Sequence, residues 1–176
     1  MVYNQTYYGV HLDHVNEIWG GNTYQKVLVQ DYPFEELIST PSTAASTVDF
    51  LYPHLIKNRY YLDGVAEGHF TVYNSHATNN MTVTAYTVTL LKTDDVPSNT
   101  ETIGGYSNSI SSNNVVAAKN FLSLPVFMNI SKGFVDENQK LILRIAMTSS
   151  GGTLCICHDN DSEYEDVKIT LPFMNV

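Results

Sequence analysis

Leu122-Ser123-Leu124-Pro125-Val126-Phe127-Met128-Asn129-Ile130 is the stretch whose periodicity decides the fold class. Leu122, Leu124, Val126, Met128 and Ile130 fall on one side of an extended chain, and Ser123, Pro125, Phe127 and Asn129 fall on the other. A period of two with one apolar face is a half-buried β-strand. Pro125 has no N–H to give a ladder, so the strand lies at an edge or is bulged at that point. Towards the C-terminus, Leu141, Leu143, Ile145 and Met147 alternate with Ile142, Arg144, Ala146 and Thr148. That run ends at Ser149-Ser150-Gly151-Gly152, a hairpin signal, with residues 153–158 as the returning strand. A last strand sets Val167, Ile169, Leu171 and Phe173 opposite Lys168 and Thr170, so the C-terminal third reads as a β-meander.

Towards the N-terminus, residues 68–75 and 81–92 flank Ala77-Thr78-Asn79-Asn80 and predict another hairpin. The second of these strands changes phase. Met81, Val83 and Ala85 are apolar at odd positions and Tyr86, Val88 and Leu90 at even ones, which calls for a bulge or a sheet crossing near Ala85. Further strands are expected at 24–32 and 59–63. Two short helices are expected, at 46–52, with Ser46 as cap and Val48, Leu51 and Tyr52 as its apolar face, and at 114–120. Residues 1–23 are rich in Tyr, Asn and Gly and contain the only tryptophan, Trp19, before a Gly20-Gly21-Asn22 turn. They read as an N-terminal arm or irregular first strand, followed by one domain over 24–176. About eight antiparallel strands with one or two short helices suit an all-β, two-sheet sandwich of jelly-roll type. An immunoglobulin-like sandwich uses fewer residues and a Cys-Trp-Cys spacing that is missing here. Leu124, Val126, Leu143, Ile145, Ile169 and Leu171 are the expected shared core between the two sheets.

Composition agrees with that class. The chain has 176 residues, 43% apolar, but only 15% charged, against about a quarter in a typical domain. Asn, Ser, Thr and Tyr supply the polarity instead. Nine basic residues against eighteen acidic ones give a formal charge of −9, which argues against nucleic acid as a ligand because that affinity comes from clustered Lys and Arg. No N-terminal basic and apolar leader and no apolar run near 18 residues is present. The expectation is a product made in a host cytoplasm with no signal peptide and no membrane contact.

Candidate chemistry is sparse. Cys155 and Cys157 stand two apart, a poor spacing for a disulfide on a strand, and are expected to be reduced. With His158 they make a Cys-x-Cys-His fragment that needs further ligands to hold zinc. His11-Leu12-Asp13-His14 would aim two imidazoles at one ion only on a helix, and none is predicted there. The stretch 159–166 concentrates five carboxylates, of which Asp159, Asp161 and Glu163 alternate and offer calcium hard oxygen ligands. Such a run is otherwise a solvated loop, and no other cofactor is expected. No Ser or Cys sits in a nucleophile elbow, and Gly104-Gly105 and Gly151-Gly152 lack the phosphate-loop pattern. The chain is expected not to be an enzyme. Four Asn-x-Ser/Thr sequons, at Asn4, Asn80, Asn129 and Asn160, arise readily in so Asn- and Thr-rich a chain, and no glycans are expected.

Two stretches, Tyr61-Leu62-Asp63-Gly64-Val65-Ala66-Glu67-Gly68-His69-Phe70-Thr71-Val72-Tyr73-Asn74 and Gln139-Lys140-Leu141-Ile142-Leu143-Arg144-Ile145, resemble the strands of jelly-roll structural proteins of virions, of the capsid-decoration or minor capsid type. The resemblance implies a homotrimer or other symmetric oligomer bound to a major capsid protein or another virion protein, with no catalytic residues to carry over. Tyr3, Tyr7, Tyr8 and Trp19 are then the candidate partner-binding residues, since an arm carrying large rings can lie across a neighbouring subunit. The alternative is a carbohydrate-binding β-sandwich, lectin-like or receptor-binding, with some of the twelve tyrosines as stacking platforms.

Overall fold

The structure, a computed structural model, describes residues 2–11, 17–30, 42–43, 46–52, 59–96, 99–109, 114–158 and 167–174. For Val2, His11, Ser42, Thr43 and Lys132 it describes the backbone alone. Every regular element among these residues is a strand, so the all-β reading holds. Residues 46–52 form strand β6 (Thr47–Leu51) and not a helix. Val48 and Phe50 point inward while Thr47 and Asp49 point outward, a period of two that tertiary packing selects over the i, i+3, i+4 alternative. The second expected helix is a two-residue strand, β10 (Val115–Val116), followed by a turn.

The antiparallel two-sheet jelly roll expected from the sequence does not form. Nine strands close into a mixed barrel within one twelve-stranded sheet. Its staves, in order, are β11 (Phe121–Val135), β9 (Thr100–Ser109), β8 (Met81–Thr93), β12 (Lys140–Gly151), β6, β4 (Lys26–Val29), β1 (Val2–His11), β14 (Val167–Met174) and β7 (Tyr60–Asn74). β7 returns to β11 and pairs with it from Tyr60↔Val135 to Tyr73↔Phe121. That ladder joins what would be two open edges in a sandwich and closes the ring, with the β11–β9 seam held by the two pairs Asn129↔Gly105 and Ile130↔Gly104. Among the described residues the one parallel contact, Val27↔Leu51 between β4 and β6, makes the barrel mixed.

Two expected hairpins are also corrected. β7 and β8 do not pair: β7 bonds to β11, β14 and β13 (Leu154–Cys157), and β8 bonds to β12, β9 and β10. Likewise β13 does not return along β12. Gly151 and Gly152 both take positive φ, 67° and 55°, and turn the chain across to the end of β7, where Leu154 pairs with Asn74. The C-terminal third is therefore no meander. Asn74 makes these corners possible. Its buried carboxamide donates to Asn79 O and Val116 O and accepts from His76 N and Thr153 N.

The faces themselves were legible. The phase change in β8 is a bulge at Thr84, where Ser149↔Val83 follows Thr148↔Ala85. β11 is bulged between Ile130 and Gly133, not at Pro125. Leu124, Val126, Leu143, Ile145, Ile169 and Leu171 all lie in one buried cluster, which fills the barrel instead of lying between two sheets. Gly9 is required there, because a Cβ would stand 2.6 Å from Cε1 of the fully buried Phe50.

Candidate functional site

The sequence-derived candidates separate in the structure. Asp159, Asp161 and Glu163 lie outside the described residues, as do Asp13 and His14. Tyr3, Tyr7 and Tyr8 belong to β1, which holds eight register pairs with β14 and four with β4. Tyr7 is buried, donates from its hydroxyl to Gln5 Oε1 at 2.6 Å, and meets Tyr52 edge-on. Burial, then the neighbouring Tyr52, pushes its hydroxyl well above the ordinary tyrosine pKa. Tyr3 stacks on Phe173, and Lys168 lies over the Tyr8 ring. Cys155, Cys157 and His158 are buried at β13, with neither cysteine in a disulfide and Cys155 Sγ 3.4 Å from Ser75 Oγ. Among the described residues no three His, Cys, Asp or Glu side chains gather as a metal site.

Trp19 builds a different feature. It ends β2 (Glu17–Trp19), and Gly20 and Gly21, at φ 55° and 73°, lead into β3 (Asn22–Tyr24). Positive φ at both turn residues is what a two-residue hairpin of this twist needs. The hairpin lies on the outside of the barrel. Trp19 covers Leu51, Leu91 and Ile142, apolar residues that face away from the main core. Lys140 Nζ stands 4.7 Å from its ring centroid, and Gly20 N donates to Asp95 Oδ1. The Trp19 indole N–H is buried without a partner.

Between this hairpin and the barrel wall is an open cleft of about 540 Å³. Asn22, Thr23 and Tyr24 come from β3, Lys26 from β4, Thr47 and Asp49 from β6, and Arg144 from β12. Asp49 and Arg144 are register partners, joined by two parallel bonds of 2.8 Å from Nε and Nη2. The carboxylate raises the arginine pKa. Tyr24 stands alongside, its hydroxyl pushed up first by burial and then by the Asp49 charge, and the Asn22 amide donates to Gly20 O. Sequence reading missed this group because residues 46–52 were expected to be helical. The available signal was a lone charge at mid-strand, Arg144, opposite the apolar face of β12.

A second feature is the outward side of β11. Phe121, Phe127 and Phe134 are exposed by 47, 54 and 42%. Tyr73 stacks on Phe121, and Tyr61 tilts against Phe134, each at 4.7 Å between centroids. The bulge explains why the third phenylalanine is at an even position. Phe121, Ser123, Pro125, Phe127, Asn129 and Ser131 line this side from 121 to 131 without a charge.

No protein-family model matches the chain, and no curated protein matches it. Solved structures do. A CocE/NonD family hydrolase from Staphylococcus aureus aligns over 96% of this chain and 36% of its own, with TM-score 0.60 and 10% identity. An aminopeptidase from the marine sediment archaeon Thaumarchaeota archaeon aligns over 74% and 26%, with TM-score 0.55 and 7% identity. An α-amino acid ester hydrolase aligns over 73% and 26%, with TM-score 0.54 and 9% identity. Such identities establish likeness of fold alone. The chain spans about a quarter to a third of the length of these hydrolases.

Proposed function

We propose that this chain is a non-catalytic structural protein of a virion, associated with the capsid and assembled as a symmetric oligomer through the outer face of β7 and β11. The observation that carries the contact is the phenylalanine row of β11, which runs about 40 Å at the rise of a strand with Tyr61 and Tyr73 beside it. Interface cores favour aromatic residues and exclude charge. On a chain of formal charge −9, the outward side chains of β11 from 121 to 131 carry no charge and keep repulsion between two copies low, with Glu67 of β7 the acidic group beside Phe127. The capsid as host surface comes from the sequence resemblance. The hydrolase likeness carries no chemistry to this chain, because it covers a minor part of each enzyme at 7–10% identity.

The test is a cysteine placed in the row. Ser123→Cys lies between Phe121 and Phe127, and Cys155 and Cys157 are buried. A short bifunctional thiol reagent should link this variant into covalent oligomers and leave Thr84→Cys, exposed on β8, as single chains. Equal linking of both variants, or no linking of Ser123→Cys, refutes the face.

A further inference from the structure

We propose that the cleft between the β2–β3 hairpin and the barrel wall is a carbohydrate-binding site, distinct from the aromatic face and three strands away from it around the ring. Its volume, about 540 Å³, falls within the range of about 300–1,000 Å³ of small-molecule sites, enough for a mono- or disaccharide.

The lining selects the ligand class. A sugar presents hydroxyls that each donate and accept, together with a flatter C–H face. Asp49 and Arg144 present an acceptor and a donor side by side, and each fixes the other in place. The two bonds to Asp49 use two of the five guanidinium N–H groups, and each carboxylate oxygen keeps a lone pair. One hydroxyl of a vicinal diol donates to the carboxylate while its neighbour accepts from the guanidinium. Asn22, Thr23 and Thr47 add amide and hydroxyl groups of the same dual character, and the half-buried Tyr24 ring offers a face for the C–H side.

Other ligand classes fit less well. An apolar molecule finds little beyond the one ring. A phosphate finds the charge of Arg144 already neutralised by Asp49, which leaves Lys26 as the further cation of the lining, on a chain whose net charge repels anions. The site is also preorganised, which lowers the entropic cost of binding. Asp49 and Arg144 stand on paired barrel strands, and Trp19 pins the hairpin that carries Tyr24.

The experiment uses ¹⁵N-labelled full-length protein titrated separately with galactose, mannose, N-acetylglucosamine and N-acetylneuraminic acid, and with inorganic phosphate as the anion probe. At least one sugar should move the amides of residues 22–26 and 47–49 in a saturable way, while phosphate leaves them unmoved. Tyr24→Ala should weaken that sugar by about tenfold, Asp49→Asn should weaken it further, and Tyr24→Phe, which keeps the ring, should bind within a fewfold of the parent. Melting curves and amide spectra identify any variant that fails to fold, and Tyr24→Phe then stands against the parent alone. The proposal is overturned if no sugar moves these amides, if phosphate moves them as much, or if folded Tyr24→Ala binds as the parent does.

Discussion

Asn74→Ala should be among the most damaging single substitutions of a polar residue, although Asn74 has no place in either candidate site. Its side chain is fully buried and makes four bonds, at 2.8 and 3.0 Å to Asn79 O and Val116 O and at 3.2 and 3.0 Å from His76 N and Thr153 N. Each such bond is worth about 0.5–1.5 kcal/mol net, and a buried carbonyl left without a donor costs about 1–3 kcal/mol more. Val116 O is the buried one. Summed independently these come to about 3–9 kcal/mol, and because the four bonds share one side chain and do not add in full the expected loss is the lower part of that range, about 3–5 kcal/mol, a large share of a domain's usual 5–15 kcal/mol or so. For a chain of this length it lowers the melting temperature by roughly 6–20 °C. Asn74→Asp adds a diagnostic sign. The new carboxyl would face two carbonyl oxygens in a buried place, so its folded pKa rises above the unfolded value near 4. A raised folded pKa means stability present at low pH and lost as pH rises through it. This variant should therefore recover part of the deficit to the parent between about pH 7 and pH 4, which Asn74→Ala should not. Denaturant unfolding at both pH values reads the result. An alanine variant within about 1 kcal/mol of the parent refutes the assignment of Asn74 as the corner that redirects β7, β10 and β13.

Leu143→Ala, facing the barrel interior between the register partners Phe50 and Leu90, should cost about 2–5 kcal/mol. Ile142→Ala on the outer face should fall at or below the low end of that range, because its small cluster can relax with the hairpin, and calorimetry separates the two. Tyr7 has a raised folded pKa, so its contribution is complete below about pH 10, the unfolded value, and is lost above it. Tyr7→Phe should flatten the fall of melting temperature at alkaline pH, and an unchanged slope rejects the assignment. Deleting residues 1–23 removes β1, β2 with Trp19 and the start of β3, and exposes the edges of β14 and β4. The truncated chain should lose its cooperative melting transition, and a sharp transition near the parent's would show that β1 is dispensable.

How much of this could be read beforehand follows from the range of each signal. Strand faces are local, so the six core residues and the phase change near Ala85 were visible in alternation alone. Pairing is not local. Residues 75–80 look like a hairpin loop, but the side chain of Asn74 and the backbone of Ser75 bond to segments more than forty residues away, where β7 and β8 take different neighbours. Ring closure between β7 and β11 and the single parallel pair at Val27↔Leu51 leave no sequence mark. The 46–52 segment misled because Val48, Leu51 and Tyr52 also satisfy helical spacing, and the inward Phe50 decides against it. Trp19 reads from sequence as a ring for a partner, but Ile142 and Leu91, apolar on the outward side of their strands, take it as cover. Tyr24, Asp49 and Arg144 come from three separate segments, and no motif joins them.

The most direct test of the central claim is the mass of the protein in solution, followed by sedimentation over a range of concentrations for the parent and for Phe127→Glu. Phe127 is 54% exposed and in the middle of the uncharged row, so the substitution adds a charge without touching the core. The parent should sediment as a discrete multiple of 19.7 kDa, and Phe127→Glu should fall to a single chain with an unchanged melting temperature. A parent that stays at 19.7 kDa at every concentration, or a variant that keeps the parent's assembly, contradicts that claim.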